Sequence, residues 1–286
     1  MKTLLDYFSK AQKQGFAIGA FNAANLEVLQ AIVNAAQKLK SPVIVESSPG
    51  ETAYGQPENL DDLVENAKKK TGLPIFLNLD HGNSLKLVQQ AIEAGYEMVH
   101  FDGSLLSFEE NKKLTKKAVA MAKKKGLVVE GELGYISGKS EAALNTKVED
   151  IQKRGVLTDP AQAGEFVRFT GVDVLAAFIG NVHGVYKGAP KLDFERLEKI
   201  REITGVFLSL HGGSGIPSES IKKAIARGIV KINVNTELRL AYKQTVKKVF
   251  GQSKEVAVYK LMPPVVEAVQ KIVEEKIKMF GSAGKI

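Results

Sequence analysis

Three of the four histidines in this sequence occupy similar positions, since each stands beside a glycine where an apolar segment ends. Three neutral imidazoles that leave one coordination position open form the ligand set of a catalytic zinc ion. A neighbouring glycine lets the backbone approach a ligand closely. The pattern therefore predicts a zinc centre built from histidines that are far apart in the chain. The three predicted ligands are His81, His183 and His211.

Carboxylates at the ends of similar segments are suited to acid–base chemistry. Asp80 directly precedes His81, Asp102 ends the apolar segment that contains His100, and Glu132 ends the next one. A carboxylate beside a metal-polarised carbonyl can remove a proton from the α-carbon. Asp80 is therefore predicted to be a proton acceptor, whereas Asp102 has the alternative role of capping the helix that follows it. His100 is interpreted as a core residue or as a neighbour of the metal ligands.

Two short motifs have the features of a phosphate site. "HGGSG" at 211–215 and "NVNTE" at 233–237 each connect an apolar segment to a helical one. Free backbone N–H groups and the helix dipole favour an anion at such a junction. In an α/β barrel the loops after strands 7 and 8 are the usual phosphate site. The pair of motifs therefore predicts a phosphorylated ligand.

These residues are positioned by short apolar segments that alternate with longer segments of helical periodicity. The apolar segments are typical of parallel strands buried on both faces. Eight strand–helix units favour an α/β fold that is a closed (β/α)8 TIM barrel, with a doubly wound open sheet as the alternative. The predicted strands span 16–22, 42–47, 74–80, 98–103, 127–134, 172–180, 206–213 and 230–236. The predicted helices span 25–39, 58–71, 84–94, 107–125, 159–170, 193–204, 217–227, 236–250 and an additional C-terminal helix at 263–281.

The chain 1–286 is expected to form one TIM-barrel domain, because no linker rich in proline, glycine or serine interrupts the alternation. The segment 135–157 is an unusually long connection. Its glycines and mixed charges are typical of a mobile lid over an active site.

Composition narrows the range of functions. The chain has no cysteine, which excludes thiolate metal ligands and a cysteine nucleophile. Its net charge is +8, but lysine runs such as "AKKK" at 67–70 and 122–125 suit solvated helix faces, so no nucleic-acid partner is expected. A basic surface would instead attract a phosphorylated substrate. No secretory signal or membrane span is recognisable, and we expect a cytoplasmic protein without a membrane partner.

Together these motifs resemble the class II, zinc-dependent ketose-bisphosphate aldolases over nearly the whole chain. The resemblance rests on "LDHG" (79–82), "FDGSLLSFEEN" (101–111), "VEGELG" (129–134), "TDPAQAGEFVRFTGVDVLA" (158–176), "VHGVYKGAPKLDF" (182–194), "LHGGSGIP" (210–217) and "KINVNTE" (231–237).

The resemblance implies reversible aldol cleavage of fructose 1,6-bisphosphate to dihydroxyacetone phosphate and glyceraldehyde 3-phosphate through a zinc-stabilised enediolate. Asp80 would exchange the proton, while Asp102 and Glu132 would match a second or alternative metal position. A monovalent cation, Na⁺ or K⁺, and a homodimer or homotetramer are also implied. The residues implied to bind the phosphorylated ketose and triose substrates are Ser48, Gly184, Lys187, Gly212, Gly213, Ser214, Asn233, Val234, Asn235 and Thr236.

Two departures from the family pattern affect these expectations. The lid of the family carries an acid at the position of Ser140, so Glu141 is the expected general acid and Glu149 is its alternative. The family often has an arginine shortly before the last helix, whereas 253–264 contains Lys260 but no arginine. Because a lysine lacks the bidentate fork of arginine, recognition of the distal phosphate is expected to differ.

Several alternatives to this activity stay open. The sugar could be tagatose 1,6-bisphosphate or another sugar phosphate. A zinc hydrolase would leave the two phosphate motifs without a role, and a non-catalytic aldolase-like subunit would not need the intact Asp80 and histidines. A Schiff-base mechanism would require a suitably placed lysine, for which Lys231 is the nearest candidate.

Overall fold

The computed structural model describes residues 2–286 and shows a closed barrel of eight parallel strands. This confirms the predicted TIM barrel, and the open-sheet alternative is wrong. The strands pair around the barrel in the order β1-β10-β9-β7-β5-β4-β3-β2. They are β1 (Ile18–Asn22), β2 (Val43–Ser47), β3 (Ile75–Gly82), β4 (Met98–Phe101), β5 (Val128–Leu133), β7 (Val174–Ala177), β9 (Phe207–Leu210) and β10 (Ile229–Val234).

Helices cover the outside of the barrel, and every predicted helix is present within a few residues of its expected bounds. Their ends follow ordinary capping rules: Asn25 caps α2, and Ser107 forms a reciprocal capping box with Glu110 at the start of α6. The helices are α1 (Leu4–Gln14), α2 (Leu26–Leu39), α3 (Pro49–Gly55), α4 (Pro57–Thr71), α5 (Leu85–Ala94), α6 (Phe108–Lys123), α7 (Val148–Gln152), α8 (Pro160–Thr170), α9 (Phe194–Thr204), α10 (Ser218–Ala226), α11 (Thr236–Gln252), α12 (Val258–Leu261) and α13 (Pro263–Met279).

The N-terminal half of the barrel interior is apolar. Buried side chains from seven barrel strands pack there against helix α1, which was not predicted and which covers this end of the barrel. The ring of Phe8 in α1 lies 5.6 Å from the ring of Phe207 in β9. The strand residues in this cluster are Ile18, Ala20, Ile44, Phe76, Met98, Val128, Val174 and Val230.

The segment 135–157, which we predicted as a mobile loop, contains regular structure. Strand β6 (Gly138–Lys147) pairs in parallel with β8 (His183–Lys187), and α7 follows directly. Four buried residues form a small separate core beneath this segment: Val148, Ile151, Val182 and Tyr186. The prediction of an irregular connection is therefore wrong, while its mobility stays a prediction.

Among residues 2–286, no helix is both long and apolar enough to cross a bilayer.

Candidate active site

Three imidazoles meet at the C-terminal end of the barrel. His81 ends β3, His183 begins β8, and His211 directly follows β9. His81 Nε2 lies 3.2 Å from His183 Nε2 and 3.0 Å from His211 Nδ1. Two nitrogens that are each about 2.0–2.1 Å from a tetrahedral zinc ion would lie about 3.4 Å apart. Both distances from His81 Nε2 are therefore close to the spacing of two ligands on one small divalent cation.

Two carboxylates, one of them fully buried, fix which nitrogen faces this centre. His81 Nδ1 is 2.7 Å from Asp102 Oδ2, and His211 Nε2 is 2.9 Å from Glu130 Oε1. A metal-binding histidine commonly donates its second N–H to such an acceptor, which sets the tautomer and orients the ring. Both rings are thus held with their other nitrogen directed at the centre.

The backbone at His81 adopts a conformation that is rare for a residue with a side chain. Its φ is 51°, in the left-handed region, and the pairing register between β3 and β4 shifts between Leu79 and Gly82. The N–H of His81 donates to His100 Nδ1 at 3.2 Å. Strain of this kind is concentrated at functional sites, where the surrounding structure holds it. His100 therefore supports the backbone of a candidate ligand, consistent with its interpretation as a neighbour.

The carboxylate of Asp80 is held beside the three imidazoles. Its Oδ2 accepts a hydrogen bond from Asn22 Nδ2 at 3.0 Å, and its Oδ1 accepts one from Asn233 Nδ2 at 3.1 Å. Asp80 Oδ1 lies 3.9 Å from His81 Nε2 and 4.0 Å from His211 Nδ1. Asp80 is only 5% exposed but lines the cavity, so it can meet a ligand that enters there.

The site favours positive charge at its centre. Burial lowers the pKa of His81, but Asp80, Asp102 and Glu132 outweigh burial and raise it to about 10. Burial raises the pKa of Asp80, yet the neighbouring imidazoles and Lys231 hold it well below its usual value. The carboxylates around His81 therefore favour a positive charge at this position, which a divalent cation would supply.

The other two imidazoles stay neutral. Burial, together with the nearby His81, lowers the pKa of His183 to about 4 and that of His211 to about 3. Neutral imidazole is the form that binds a metal.

A second group of ligand atoms lies beside the first. His81, Asp102 and Glu132 each offer one such atom, all within 4.8 Å of one another. Glu132 Oε2 is buried without a hydrogen-bond partner, and it lies 3.5 Å from His100 Nε2, which also lacks one. Burial and the nearby Asp102 raise the pKa of Glu132 well above its usual value. Buried polar atoms without partners suit a role in holding a cation, so the residues present fit a divalent metal.

The three imidazoles and Asp80 line a cavity of about 340 Å³. The loops after β9 and β10 form one of its walls, which includes Gly212, Ser214, Asn235 and Thr236. Helix α11 begins at Thr236, and the N–H groups of its first turn have no partner within the helix, although that of Glu237 donates to Ser214 Oγ at 3.4 Å. The cavity therefore combines a cation centre with a helix N-terminus that suits a phosphate.

Comparison with known proteins gives a consistent result. Residues 2–285 match the family described as fructose-bisphosphate aldolase class-II. The chain is 39% identical to the fructose-bisphosphate aldolase of Geobacillus stearothermophilus over 290 residues, covering 99% of this chain and 98% of that protein. It is 40% identical to the fructose-bisphosphate aldolase of Staphylococcus aureus over 280 residues, covering 96% and 95%. The crystal structure of the YdjI aldolase from Escherichia coli K12 is also similar, with a TM-score of 0.84, 36% identity and coverage of 100% and 99%.

The chain belongs to the class II fructose-bisphosphate aldolase family. It is therefore a metal-dependent aldehyde-lyase, and the predicted family, enzyme class and sugar-phosphate type of substrate are confirmed. The class II assignment agrees with the protonation and pairing of the Lys231 side chain. Burial lowers the pKa of this lysine, but Glu130 and Glu46 raise it above its ordinary value. Lys231 is fully buried and pairs with both glutamates, which disfavours it as the amine of a Schiff-base mechanism.

Most residues that the sequence implied for this class II aldolase site line the cavity, but five do not. Glu141 lies on β6 with an exposed side chain, and Lys187 is exposed at the end of β8. The alternative acid Glu149 is exposed in α7. The remaining two, Gly213 and Val234, are buried behind the wall. The residues that do line it are Asp80, His81, His183, His211, Asp102, Glu132, Ser48, Gly184, Gly212, Ser214, Asn233, Asn235 and Thr236.

One glycine has a role that differs from the expected one. Gly212 has φ 64°, and a Cβ there would collide with the carbonyl of Val182. We predicted that glycines beside the histidines allow a ligand to approach. At Gly212 the neighbour that needs the space is the backbone leading to His183, so this glycine brings two histidine-bearing loops together.

Sequence reasoning missed several polar residues at this site. Asn22 holds Asp80, and Glu130 holds His211. Glu51 accepts hydrogen bonds from Asn22 and from Arg239, which lines the cavity. A signal for Glu130 was available, since it lies two residues before Glu132 on β5 and alternate residues of a strand face the same side.

Proposed function

We propose that this class II aldolase catalyses the reversible cleavage of fructose 1,6-bisphosphate into dihydroxyacetone phosphate and glyceraldehyde 3-phosphate. The observation that carries the proposal is the position of Asp80, a buried carboxylate whose Oδ1 lies 3.9 Å from His81 Nε2 and 4.0 Å from His211 Nδ1. Asp80 also lines a cavity that has a wall suited to a phosphate. A hydrolase would not need that wall.

In the proposed reaction Asp80 exchanges the proton. A divalent cation held by His81, His183 and His211, zinc by preference, supplies Lewis-acid polarisation of the ketone oxygen when it is bound. Asp80 removes a proton from the hydroxymethyl carbon of dihydroxyacetone phosphate in the synthetic direction and returns it in the cleavage direction. The amides of Asn22 and Asn233 keep both carboxylate oxygens in place, which leaves Asp80 correctly oriented without a change of rotamer.

The phosphate of the three-carbon unit is proposed to bind between the loops after β9 and β10. Ser214 offers a hydroxyl, Gly212, Asn235 and Thr236 line the same wall, and α11 contributes its N-terminus. We keep Gly184, Lys187, Asn233 and Val234 as further members of this site. The N–H of Gly213 already donates to the carbonyl of Asn233 at 2.8 Å, so we assign Gly213 a packing role next to the phosphate.

Glu141 remains the proposed general acid that protonates the aldehyde oxygen during condensation. Its neighbour Ser140 lines the cavity, so a modest movement of β6 would bring this carboxylate to the opening. Asp102 and Glu132 are proposed to hold a second or alternative metal position beside His81. A Na⁺ or K⁺ ion near the phosphate and a homodimer or homotetramer complete the proposal.

Tagatose 1,6-bisphosphate, which carries the same two phosphates, is an alternative to fructose 1,6-bisphosphate. A second candidate substrate is another ketose phosphate, one that lacks the distal phosphate. The observation in its favour concerns the distal phosphate. Lys260 is the one basic residue from 255 to 264, and it pairs with Glu255 at 3.0 Å. Arg239 pairs with Glu51 at 2.7 Å, and the hydroxyl of Ser48 donates to the same carboxylate at 2.7 Å. Lys260 and Ser48, which the sequence suggested as donors to a distal phosphate, and Arg239, which it did not, therefore already have carboxylate partners.

A panel of ketose 1,6-bisphosphates that differ in one hydroxyl, together with a ketose 1-phosphate, tests the proposal. Release of triose phosphate is measured by a coupled assay with zinc-loaded enzyme, with chelator-treated enzyme and with enzyme to which zinc is restored. We expect the highest kcat/KM for fructose 1,6-bisphosphate, loss of activity with chelator and its return with zinc. A higher kcat/KM for the tagatose epimer would favour that alternative, and a higher kcat/KM for the ketose 1-phosphate would favour the second candidate. Activity that persists with chelator, together with a covalent enzyme–substrate adduct that borohydride traps, would contradict both candidate functions.

A further inference from the structure

Beneath the three imidazoles lies a charged cluster that the proposed reaction does not use. The ammonium of Lys231, on β10, is fully buried between two glutamates that are also fully buried. Lys231 Nζ lies 2.9 Å from Glu46 Oε1 on β2 and 2.8 Å from Glu130 Oε2 on β5. Charges in such a place are costly unless each is paired and hydrogen-bonded. Their retention inside the barrel calls for a role.

The first branch of the cluster leads to a candidate metal ligand. One oxygen of Glu130 contacts Lys231, and the other accepts hydrogen bonds from Ser209 Oγ and from His211 Nε2, the latter at 2.9 Å. Glu130 thus sets the orientation of the His211 ring, while Lys231 sets the position of Glu130. Through this branch the lysine determines where His211 Nδ1 points.

The second branch leads to the proposed base. Glu46 Oε1 pairs with Lys231 Nζ and accepts a hydrogen bond from Asn78 Nδ2. Glu46 Oε2 accepts a hydrogen bond from Asn233 Nδ2 at 2.9 Å. The same Asn233 nitrogen donates to Asp80 Oδ1 at 3.1 Å. Because the Asp80 carboxylate is an acceptor, the amide must present its NH₂ group to it, and the same nitrogen faces Glu46, which leaves Asn233 Oδ1 without a partner. Glu46 therefore fixes the donor that holds Asp80.

We propose that Lys231 is a positioning residue that aligns the metal ligand His211 through Glu130 and the base Asp80 through Glu46 and Asn233. The two branches share only the ammonium, so they are separable by mutation. The second branch rests on the proposed role of Asp80, whereas the first rests only on the geometry of His211.

Three variants test the branches: Glu130→Gln, Glu46→Gln and Lys231→Met. Each glutamine keeps the shape of the glutamate but has one acceptor oxygen instead of two, so one neighbouring donor loses its partner. Zinc affinity of the metal-free protein is measured by competition with a chelator. The function of Asp80 is measured, at saturating zinc, as exchange of solvent deuterium into dihydroxyacetone phosphate, which does not depend on the identity of the aldehyde.

We expect Glu130→Gln to weaken zinc binding by about 10–100-fold, the range found when a residue that orients a metal ligand is changed. Glu46→Gln should leave zinc affinity within about twofold and lower the exchange rate by at least about tenfold. Lys231→Met should lower both the zinc affinity and the exchange rate. The matched control is Lys112→Met, since Lys112 is another buried lysine that pairs with two glutamates, Glu109 and Glu165, in the helical layer. Its zinc affinity and exchange rate should stay at wild-type values.

Unchanged zinc affinity and exchange in Lys231→Met, with only a lower melting temperature, would overturn the proposal. Identical phenotypes for the two glutamine variants would overturn the separation into branches. If Lys231→Met does not fold, the two glutamine variants still decide each branch. If the wild-type enzyme exchanges no protons, the proposed function fails, and the zinc measurements on Glu130→Gln and Lys231→Met still decide the first branch.

Discussion

The two halves of the barrel interior contrast in chemistry although the same strands build them. Met98 lies in the apolar N-terminal half, and His100, two residues later on β4, lies in the polar half. On β5, Val128 is followed at the same spacing by Glu130 and then by Glu132. Interior positions alternate along a strand, so a two-residue step moves up the barrel without leaving its interior.

This contrast separates stability from chemistry within one fold. The N-terminal half offers aliphatic and aromatic packing that stabilises the barrel. The C-terminal half contains buried charges, atoms without hydrogen-bond partners and the left-handed backbone of His81, each of which costs stability. We infer that packing in the N-terminal half offsets these costs in the C-terminal half. Four experiments test whether stability and chemistry are separated between the two halves in this way.

The largest effect is expected for Asp80→Ala in the polar half. Loss of the proposed base should lower kcat by about three orders of magnitude, within the range for removal of a general base. Zinc content, measured by atomic absorption on the purified variant, should stay at the wild-type level because the three imidazoles are untouched. Normal turnover would assign the proton transfer to another group.

The next largest effect is expected for Phe8→Ala in the apolar half. Phe8 is fully buried in the cluster that covers the end of the barrel. Its truncation should lower the free energy of unfolding by about 3–5 kcal/mol, as measured by urea denaturation, while kcat per folded molecule stays unchanged. The control is Phe250→Ala, because Phe250 is 46% exposed. A large fall in kcat for Phe8→Ala would show that the two halves are not independent.

A smaller effect concerns pH and arises only in the polar half. Burial lowers the pKa of His81, but the nearby carboxylates raise it from 6.5 to about 10. The stability from this proton is present below pH 6.5 and is lost as the pH rises to about 10. Because zinc must displace the proton, zinc affinity should rise about tenfold per pH unit between pH 7 and 9.

Chelator competition at several pH values measures this slope, and a pH-stat measures the release of about one proton per zinc ion. An affinity that does not change with pH would show that His81 is already neutral in the metal-free protein.

The smallest effect is expected for Arg239→Ala at the rim of the polar half. The guanidinium is 47% exposed and paired with Glu51, so its loss should raise the KM for the bisphosphate by only about two- to fivefold. Steady-state kinetics provide the measurement. Arg227→Ala is the matched control, since Arg227 pairs with Glu198, and its KM should not change. A large fall in kcat for Arg239→Ala would show that this residue acts in the catalytic step rather than only in substrate binding.

The barrel was predictable because its signal is repeated eight times along the chain. Buried parallel strands are apolar along most of their length, and each predicted segment ends at a polar residue or glycine. The histidines stood out because they share that end position. Helix α1 was missed although its signal was present: Thr3 and Asp6 form a capping box in front of an amphipathic segment.

Other features depend on contacts that the sequence pattern does not carry. Strand β6 has the sequence "GKSEAALNTK", without the alternation of a half-buried strand, and it is ordered by pairing with β8. Glu46 and Lys231 look like ordinary polar residues within apolar strands until the barrel closes and places them together. The polar cluster is thus a product of tertiary structure rather than of local sequence.

The pairing of β6 with β8 has a mechanical consequence. Gly138 lies opposite His183 in the ladder, and the N–H of His183 donates to the carbonyl of Ser137 at 2.9 Å. The strand above the cavity and one corner of the cation centre are therefore parts of a single ribbon. A movement of that ribbon large enough to admit a sugar would also displace the imidazole of His183. Substrate entry and metal binding would therefore be coupled.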